Sequence, residues 1–201
     1  MAERPIGDER AAGDERAPRQ SPYGIVLGRF QPFHLDHLRY VTAAKERCHR
    51  LVVGITNPDP TPPAIVEADA LRSRPENNPL SYLERHLMIE DSLREAGWSP
   101  ADFLLVAAPL TRPDRLVSYL PPPGRSTVFL TVYDAWGEQK ARELESLGYR
   151  TEVLWRREPS TRAMTGTQIR SRLRAGEDWD HLVPPAVARH LRDRALGGDP
   201  L

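Results

Sequence analysis

Tyr23-Gly-Ile-Val-Leu-Gly28 is a short apolar run that stops on glycine and leads into a helical pattern over Leu35 to Cys48, where Leu38, Val41 and Ala44 recur at helical spacing. A second apolar run, Leu51-Val-Val-Gly-Ile-Thr56, follows directly. Strand, helix and strand within about 35 residues is the right-handed βαβ unit. A strand that is apolar on both faces must be covered on both faces, which a parallel sheet flanked by helices provides. These first two runs already commit the chain to an α/β architecture.

The alternation continues. Ser81 to Ala96 reads as a helix, with Ser81 as cap, Glu84 closing the capping box and Gly97 ending it. Asp102-Phe-Leu-Leu-Val-Ala107 is a third strand, and Thr127-Val-Phe-Leu-Thr-Val-Tyr133 a fourth after the Pro121-Pro-Pro-Gly124 break. Ala135 to Leu147 is a helix closed by Gly148, and Arg150-Thr-Glu-Val-Leu-Trp155 is the fifth strand. Two short helices follow, at about Gly166 to Ala175 and Pro185 to Leu196. The expected fold is a doubly wound parallel α/β sheet over residues 23–196, with a small C-terminal helical segment over 164–196. Residues 1–22, where Gly-Asp-Glu-Arg-Ala occurs at Gly7 to Ala11 and again at Gly13 to Ala17, read as a disordered tail. Residues 57–80 carry Pro58, Pro60, Pro62, Pro63, Pro75 and Pro79 and read as a long surface loop; 197–201 form a short tail.

Lys+Arg 28 against Asp+Glu 28 gives a net charge of +0, which argues against a protein that holds nucleic acid by bulk electrostatics. A few placed arginines still suffice for a small anion. Lys45 and Lys140 are the only lysines, so the positive charge is almost all guanidinium. The arginines at 156, 157, 162, 170, 172 and 174 are interrupted and followed by Glu158, Glu177, Asp178 and Asp180, a mixture suited to lining a small anion site. The single cysteine, Cys48, sits inside the helical pattern and reads as buried packing. No apolar run approaches the roughly 18 residues that span a bilayer, and the N-terminus lacks the apolar stretch of a secretory signal. A cytoplasmic protein without a membrane partner is expected.

In open α/β sheets, ligands bind beyond the carboxyl ends of the strands. The first strand runs out into Gly28-Arg-Phe-Gln-Pro-Phe-His-Leu-Asp-His-Leu38. Gly28 permits close backbone approach, Pro32 shapes the turn, and a helix begins near His34 or Leu35. His34 and His37, three residues apart, share one face of that helix start. Two imidazoles, Arg29 and the free N–H groups of a helix N-terminus make a site for phosphate. A second such element is Met164-Thr-Gly-Thr-Gln-Ile-Arg-Ser-Arg172, in which Thr165 or Thr167 caps a helix and Arg170 closes its first turn. The two read as jaws around a polyphosphate.

These residues resemble a family. The segment from Gly28 to Leu38 is similar to the G-R-F-Q-P-x-H-x-G-H-L signature of the H-x-G-H nucleotidyltransferases, particularly the archaeal-type nicotinamide-nucleotide (NMN) adenylyltransferases. Thr165-Gly-Thr-Gln-Ile-Arg170 resembles their S-G-T-x-[IV]-R signature, Pro79-Leu-Ser-Tyr-Leu-Glu-Arg85 their P-F-T-x-x-E-R segment, and Gly176-Glu-Asp-Trp-Asp-His-Leu-Val-Pro184 their G-x-x-W-x-x-L-[VL]-P run. The likeness extends from about Tyr23 to Leu191. It implies a Rossmann-like nucleotidyltransferase in which His34, His37 and Arg170 are the catalytic residues. Gly28, Arg29, Phe30, Thr165, Gly166 and Thr167 would bind the nucleotide. The implied reaction is attack by an acceptor phosphate on the α-phosphorus with loss of pyrophosphate. Mg²⁺ would ride on phosphate oxygens without dedicated protein ligands.

The sequence departs from that pattern around the acceptor. Asp36 replaces the glycine between the histidines, which either alters base or ribose contacts or turns to solvent. Asn77, followed by Asn78-Pro79, stands where those adenylyltransferases carry an Arg. Leu110 to Leu120 holds Tyr119 but no tryptophan, where they carry one that stacks on nicotinamide. Val132-Tyr133-Asp134 replaces a Gly-Asn turn. Asp36, Tyr133 and Asp134 are candidates for nucleotide contacts, and Asn77, Ser81 and Arg85 for the acceptor. Phosphate jaws kept and an acceptor pocket rebuilt resemble the branch that transfers CMP from CTP to small, phosphonoformate-like phosphonates in antibiotic biosynthesis. The alternatives are an adenylyltransferase that uses ATP and NMN, and a nucleotide-binding regulator that has lost catalysis through Asp36. Family members vary in assembly, which leaves a homo-oligomer open.

Overall fold

The computed structural model describes residues 20–58, 75–158 and 164–197. The expected tail up to residue 19, most of the expected 57–80 loop, Arg162 and residues 198–201 lie outside these. Five strands form one parallel sheet: β1 (Ser21–Gly28), β2 (Cys48–Thr56), β3 (Phe103–Ala108), β4 (Ser126–Val132) and β5 (Arg150–Arg156), in the order β3-β2-β1-β4-β5. The helices are α1 (Leu35–Lys45), α2 (Tyr82–Glu95), α3 (Pro113–Leu116), α4 (Ala135–Ser146), α5 (Gly166–Ala175) and α6 (Pro185–Leu196). The expected doubly wound α/β fold with C-terminal helices is the one observed.

Strand alternation explains the two-sided core. Val26 joins Val53, Ile55 and Phe129 with α1, α2 and α6 on one face. Ile25 and Leu27 join Val52, Leu130, Ala141 and Leu144 on the other, toward α3 and α4. Both layers are closely covered, with Ile25, Val26, Val52 and Val53 fully buried. Among the described residues no helix is long and apolar enough to cross a membrane.

Beyond one-residue shifts at strand ends, the elements differ from the sequence reading in three places. β1 starts at Ser21, not Tyr23, because Ser21 pairs with Cys48 and its N–H bonds the Arg47 carbonyl at 3.2 Å. α1 ends at Lys45 and Cys48 opens β2, so Cys48 is not helical. Its thiol fills the space above Gly24, where a Cβ would lie 2.6 Å from Sγ; strand pairing overrides the helical period. The thiol is buried, as expected, and burial pushes its pKa up. α3, a single turn with Pro113 at its start, was not anticipated.

The strand order turns back between β1 and β4, which is where such sheets open. The β1·β2 ladder runs out to Gly28↔Ile55, whereas the β1·β4 ladder ends at Ile25↔Val128. Beyond that point side chains satisfy the separated backbones. The Tyr40 hydroxyl donates to the Phe129 carbonyl, and Lys140 Nζ donates to the Leu27 carbonyl at 3.4 Å.

Candidate active site

A cavity of about 520 Å³ lies over this opening, lined by the turn after β1, the starts of α1 and α5, and the ends of β4 and β5. That volume suits a small-molecule site. Among the described residues its charged lining is Arg29, Lys140, Arg157 and Arg170 against one carboxylate, Asp36. A neutral chain thus carries a locally cationic cleft.

The turn after β1 is buried, with Phe30, Gln31, Phe33 and His34 nearly closed to solvent. Phe30 holds a left-handed φ of 53°, uncommon for a bulky residue and a form of strain that surrounding structure must enforce. Its ring is buried edge-on to Phe33 at 5.6 Å and to His37 at 4.9 Å. His34 is the N-cap of α1, and its ring stacks on His37 with centroids 3.6 Å apart. His37 Nδ1 accepts from the His34 backbone N–H at 3.4 Å, leaving the ring proton on Nε2. Burial holds the pKa of His34 down to about 4, against a smaller upward pull from Asp36. Burial, the His34 ring and the Arg29 guanidinium hold His37 well below its ordinary value. Both imidazoles are neutral at pH 7, and His34 Nδ1 is buried with no hydrogen-bond partner among the described residues.

Thr165 caps α5: its Oγ1 accepts from Gln168 N at 3.2 Å while Gln168 Oε1 accepts from Thr165 N at 2.9 Å. Thr167 is not the cap; its Oγ1 accepts from Arg170 Nη2 at 3.2 Å. Gly166 is required, since a Cβ there would lie 2.3 Å from the Gln31 carbonyl oxygen. Arg170, 2 % exposed, donates from Nη1 to that carbonyl at 2.6 Å and from Nη2 to Asn77 Oδ1 at 2.9 Å. Its buried Nε has no partner among the described residues. Burial, with Arg29 and Arg174 nearby, lowers its pKa to about 10, so it remains a cation. The starts of α1 and α5, each positive by its dipole, line the same cavity.

Twelve of the candidate residues come together in this lining: Gly28, Arg29, Phe30, His34, Asp36, His37, Asn77, Tyr133, Thr165, Gly166, Thr167 and Arg170. Ser81, Arg85 and Asp134 do not. Ser81 caps α2 and Asp134 caps α4, accepting from Gly137 N at 3.1 Å. Arg85 is 1 % exposed and gives its guanidinium to four backbone carbonyls: Ser81 at 3.1 Å, Arg29 at 2.9 Å, Thr56 at 2.7 Å and Asn57 at 2.8 Å. It ties the turns after β1 and β2 to α2. The sequence reading missed Gln31, whose side chain exchanges two hydrogen bonds with the Leu80 backbone, at 2.8 and 3.0 Å. It also missed Tyr40, Trp136, Lys140 and Trp155, which line the cavity from α1, α4 and β5. Leu110 to Leu120 holds no tryptophan, as read, but these other elements bring two tryptophans to the cleft.

A switch-point cleft in a five-stranded parallel sheet, with two helix starts, paired imidazoles and several guanidinium groups, defines a nucleotidyltransferase-type α/β enzyme. The chain belongs to the cytidylyltransferase-like family, whose model matches residues 25–172. It is 46% identical over 170 residues to the phosphonoformate cytidylyltransferase of Streptomyces viridochromogenes, covering 85% of this chain and 90% of that one. It is 32% identical over 169 residues to the nicotinamide-nucleotide adenylyltransferase of Picrophilus torridus, covering 82% and 87%. In fold it resembles a bifunctional NMN adenylyltransferase/ADP ribose pyrophosphatase of Francisella tularensis, solved with AMP and a manganese ion. There the TM-score is 0.63 and the identity 15%, over 87% of this chain and about half (49%) of that one. The protein is a nucleotidyltransferase.

Proposed function

We propose that the protein transfers CMP from CTP to a small phosphonate acceptor of the phosphonoformate kind and releases pyrophosphate, as a step in phosphonate natural-product biosynthesis. The observation that carries the reaction class is the cleft that, among the described residues, sets four cations and two neutral imidazoles against one carboxylate, Asp36. The choice of CMP and phosphonate is supported by the 46% identity to a phosphonoformate cytidylyltransferase, above the 32% to an NMN adenylyltransferase.

In this reading a phosphonate oxygen attacks the α-phosphorus of CTP. The bond from that phosphorus to the α,β-bridging oxygen breaks, and pyrophosphate leaves with its electron pair. A phosphonate oxygen is ionised near neutral pH, so no general base is needed and catalysis is positioning plus electrostatic stabilisation. Arg170, Arg29 and the α5 start hold the β- and γ-phosphates. His34 and His37, neutral and stacked, donate N–H bonds to phosphoryl oxygens as charge develops. Among the described residues the cavity lining contains one carboxylate and no cluster of metal-ligating side chains, which fits a divalent ion carried on the nucleotide; the three-ligand cluster Asp178, Asp180 and His181 is exposed and outside the cavity. Mg²⁺ carried on the nucleotide would neutralise phosphate charge, and Asp36 is the described lining carboxylate that could help hold it.

Incubating the enzyme with CTP, Mg²⁺ and phosphonoformate and following ³¹P NMR tests this. A new phosphonate–phosphate anhydride signal that grows with pyrophosphate is expected. No turnover on any acceptor, together with unchanged CTP binding in His37→Ala, would instead identify a regulator.

A further inference from the structure

β5 carries an irregularity beside the cleft. Leu130 pairs with Val153 but Thr131 pairs with Trp155, so Leu154 is an extra residue on β5. Paired neighbours in a parallel sheet share a face. Val153 therefore lies with Leu130 in the layer under α4, where Trp155 and Arg157 would also lie if the strand alternated without interruption. The bulge moves them to the other face. Leu154 packs into the α1-side core, and the Trp155 ring lies 6.4 Å from that of Tyr40 on α1. Arg156 is left to pair with Glu138 on α4. Bulges commonly re-aim side chains beside active sites. Here the side chains turned inward are Trp155 and Arg157, both lining the cavity.

Arg157 is held in a defined pose. Its backbone N–H bonds the Val132 carbonyl at 3.0 Å, and its guanidinium carbon sits 4.4 Å from the centroid of the Trp155 ring. A guanidinium placed over an aromatic face is attracted to the ring and can still use its N–H edge for hydrogen bonds. Among the described residues no protein acceptor is bonded to that edge. This wall also carries Tyr133 and Trp136, whereas the wall beyond β2 and β3 presents Thr56, Asn57, Leu110 and Thr111 and no aromatic ring. A nucleobase has π faces to stack; a small phosphonate has none.

We propose that Arg157, held on Trp155 by the β5 bulge, is the residue that reads the base, donating two parallel N–H bonds to the adjacent O2 and N3 acceptors of cytosine. The inference rests on the CMP-transfer reading. An arginine edge offers donors only. Cytosine presents two neighbouring acceptors, uracil interrupts them with an N3–H donor, and adenine offers N1 beside an amine. The same residue therefore selects CTP over both UTP and ATP.

The test measures binding of CTP, UTP and ATP without acceptor, by tryptophan fluorescence, and pyrophosphate release with phosphonoformate, for wild type, Arg157→Gln and Arg157→Lys. Wild type is expected to prefer CTP. Both variants should lose on the order of 10- to 100-fold in CTP affinity while ATP binding stays within about twofold, because a lysine cannot reproduce the paired contact. The KM for phosphonoformate should not move. Equal weakening for all three nucleotides would make Arg157 a phosphate or ribose contact and overturn the proposal. So would a raised acceptor KM with nucleotide preference intact, or no change at all. CTP turnover in wild type with preference retained in the variants would sink this inference and leave the CMP-transfer reading standing; a wild type that ignores CTP would sink both.

Discussion

His34 and His37 are buried bases kept neutral by their surroundings, and the sign of that perturbation makes a prediction. His34 has its pKa lowered from 6.5 to about 4 in the folded chain. The neutral form is favoured on folding, so the contribution of His34 to stability is full above pH 6.5 and is lost as pH falls through about 4. Thermal unfolding of the ligand-free protein should show a loss on the order of 3 kcal/mol across that window that a His34→Gln variant lacks. An identical acid profile in the variant would contradict the assignment. At neutral pH, His37→Ala should reduce kcat by about 100-fold or more while leaving the far-UV spectrum unchanged, as expected for a donor that acts on developing charge. Both histidines were legible in the sequence because the strand-glycine-turn-helix context put them at a switch point. Arg85 was legible as a residue but not in its surroundings. Nothing in its local sequence says that its partners are carbonyls at positions 29, 56, 57 and 81.

At the scale of elements, the site is two turns locked to each other. Arg170 and the absent side chain of Gly166 press the α5 start onto the Gln31 carbonyl, while Arg85 holds the turns after β1 and β2. Gly166→Ala should push these jaws apart, lowering kcat/KM by about 100-fold as its chief effect, since a 1 Å misplacement is enough for such a loss, with some stability lost as well because the new Cβ meets backbone. Arg85→Met should act the other way round, lowering stability by about 2 to 4 kcal/mol because several buried carbonyls lose their donor. Urea unfolding and steady-state kinetics on both variants separate the two effects. Strand and helix identities were readable from periodicity and caps, with α5 and α6 matching their expected bounds. The β5 bulge was not, because an extra residue in a run of Val, Leu and Trp leaves the apolar pattern intact. Only the pairing partner reveals which face each side chain takes.

Across the whole molecule, zero net charge coexists with a cleft whose lining carries Arg29, Lys140, Arg157 and Arg170. The doubly wound order concentrates them at the β1/β4 opening, and no composition argument could have shown that concentration. Lys140 illustrates the gap: it is one of two lysines in the chain, and it reaches the cleft only because α4 packs it against the Leu27 carbonyl. The sheet's two-sided core, by contrast, was implied by the uninterrupted apolar strands. Substrate choice is the decisive property of this enzyme. Pyrophosphate release should be measured for the same enzyme preparation with CTP plus phosphonoformate and with ATP plus NMN. A kcat/KM for CTP and phosphonoformate exceeding that for ATP and NMN is the predicted result; turnover with ATP and NMN alone would contradict it.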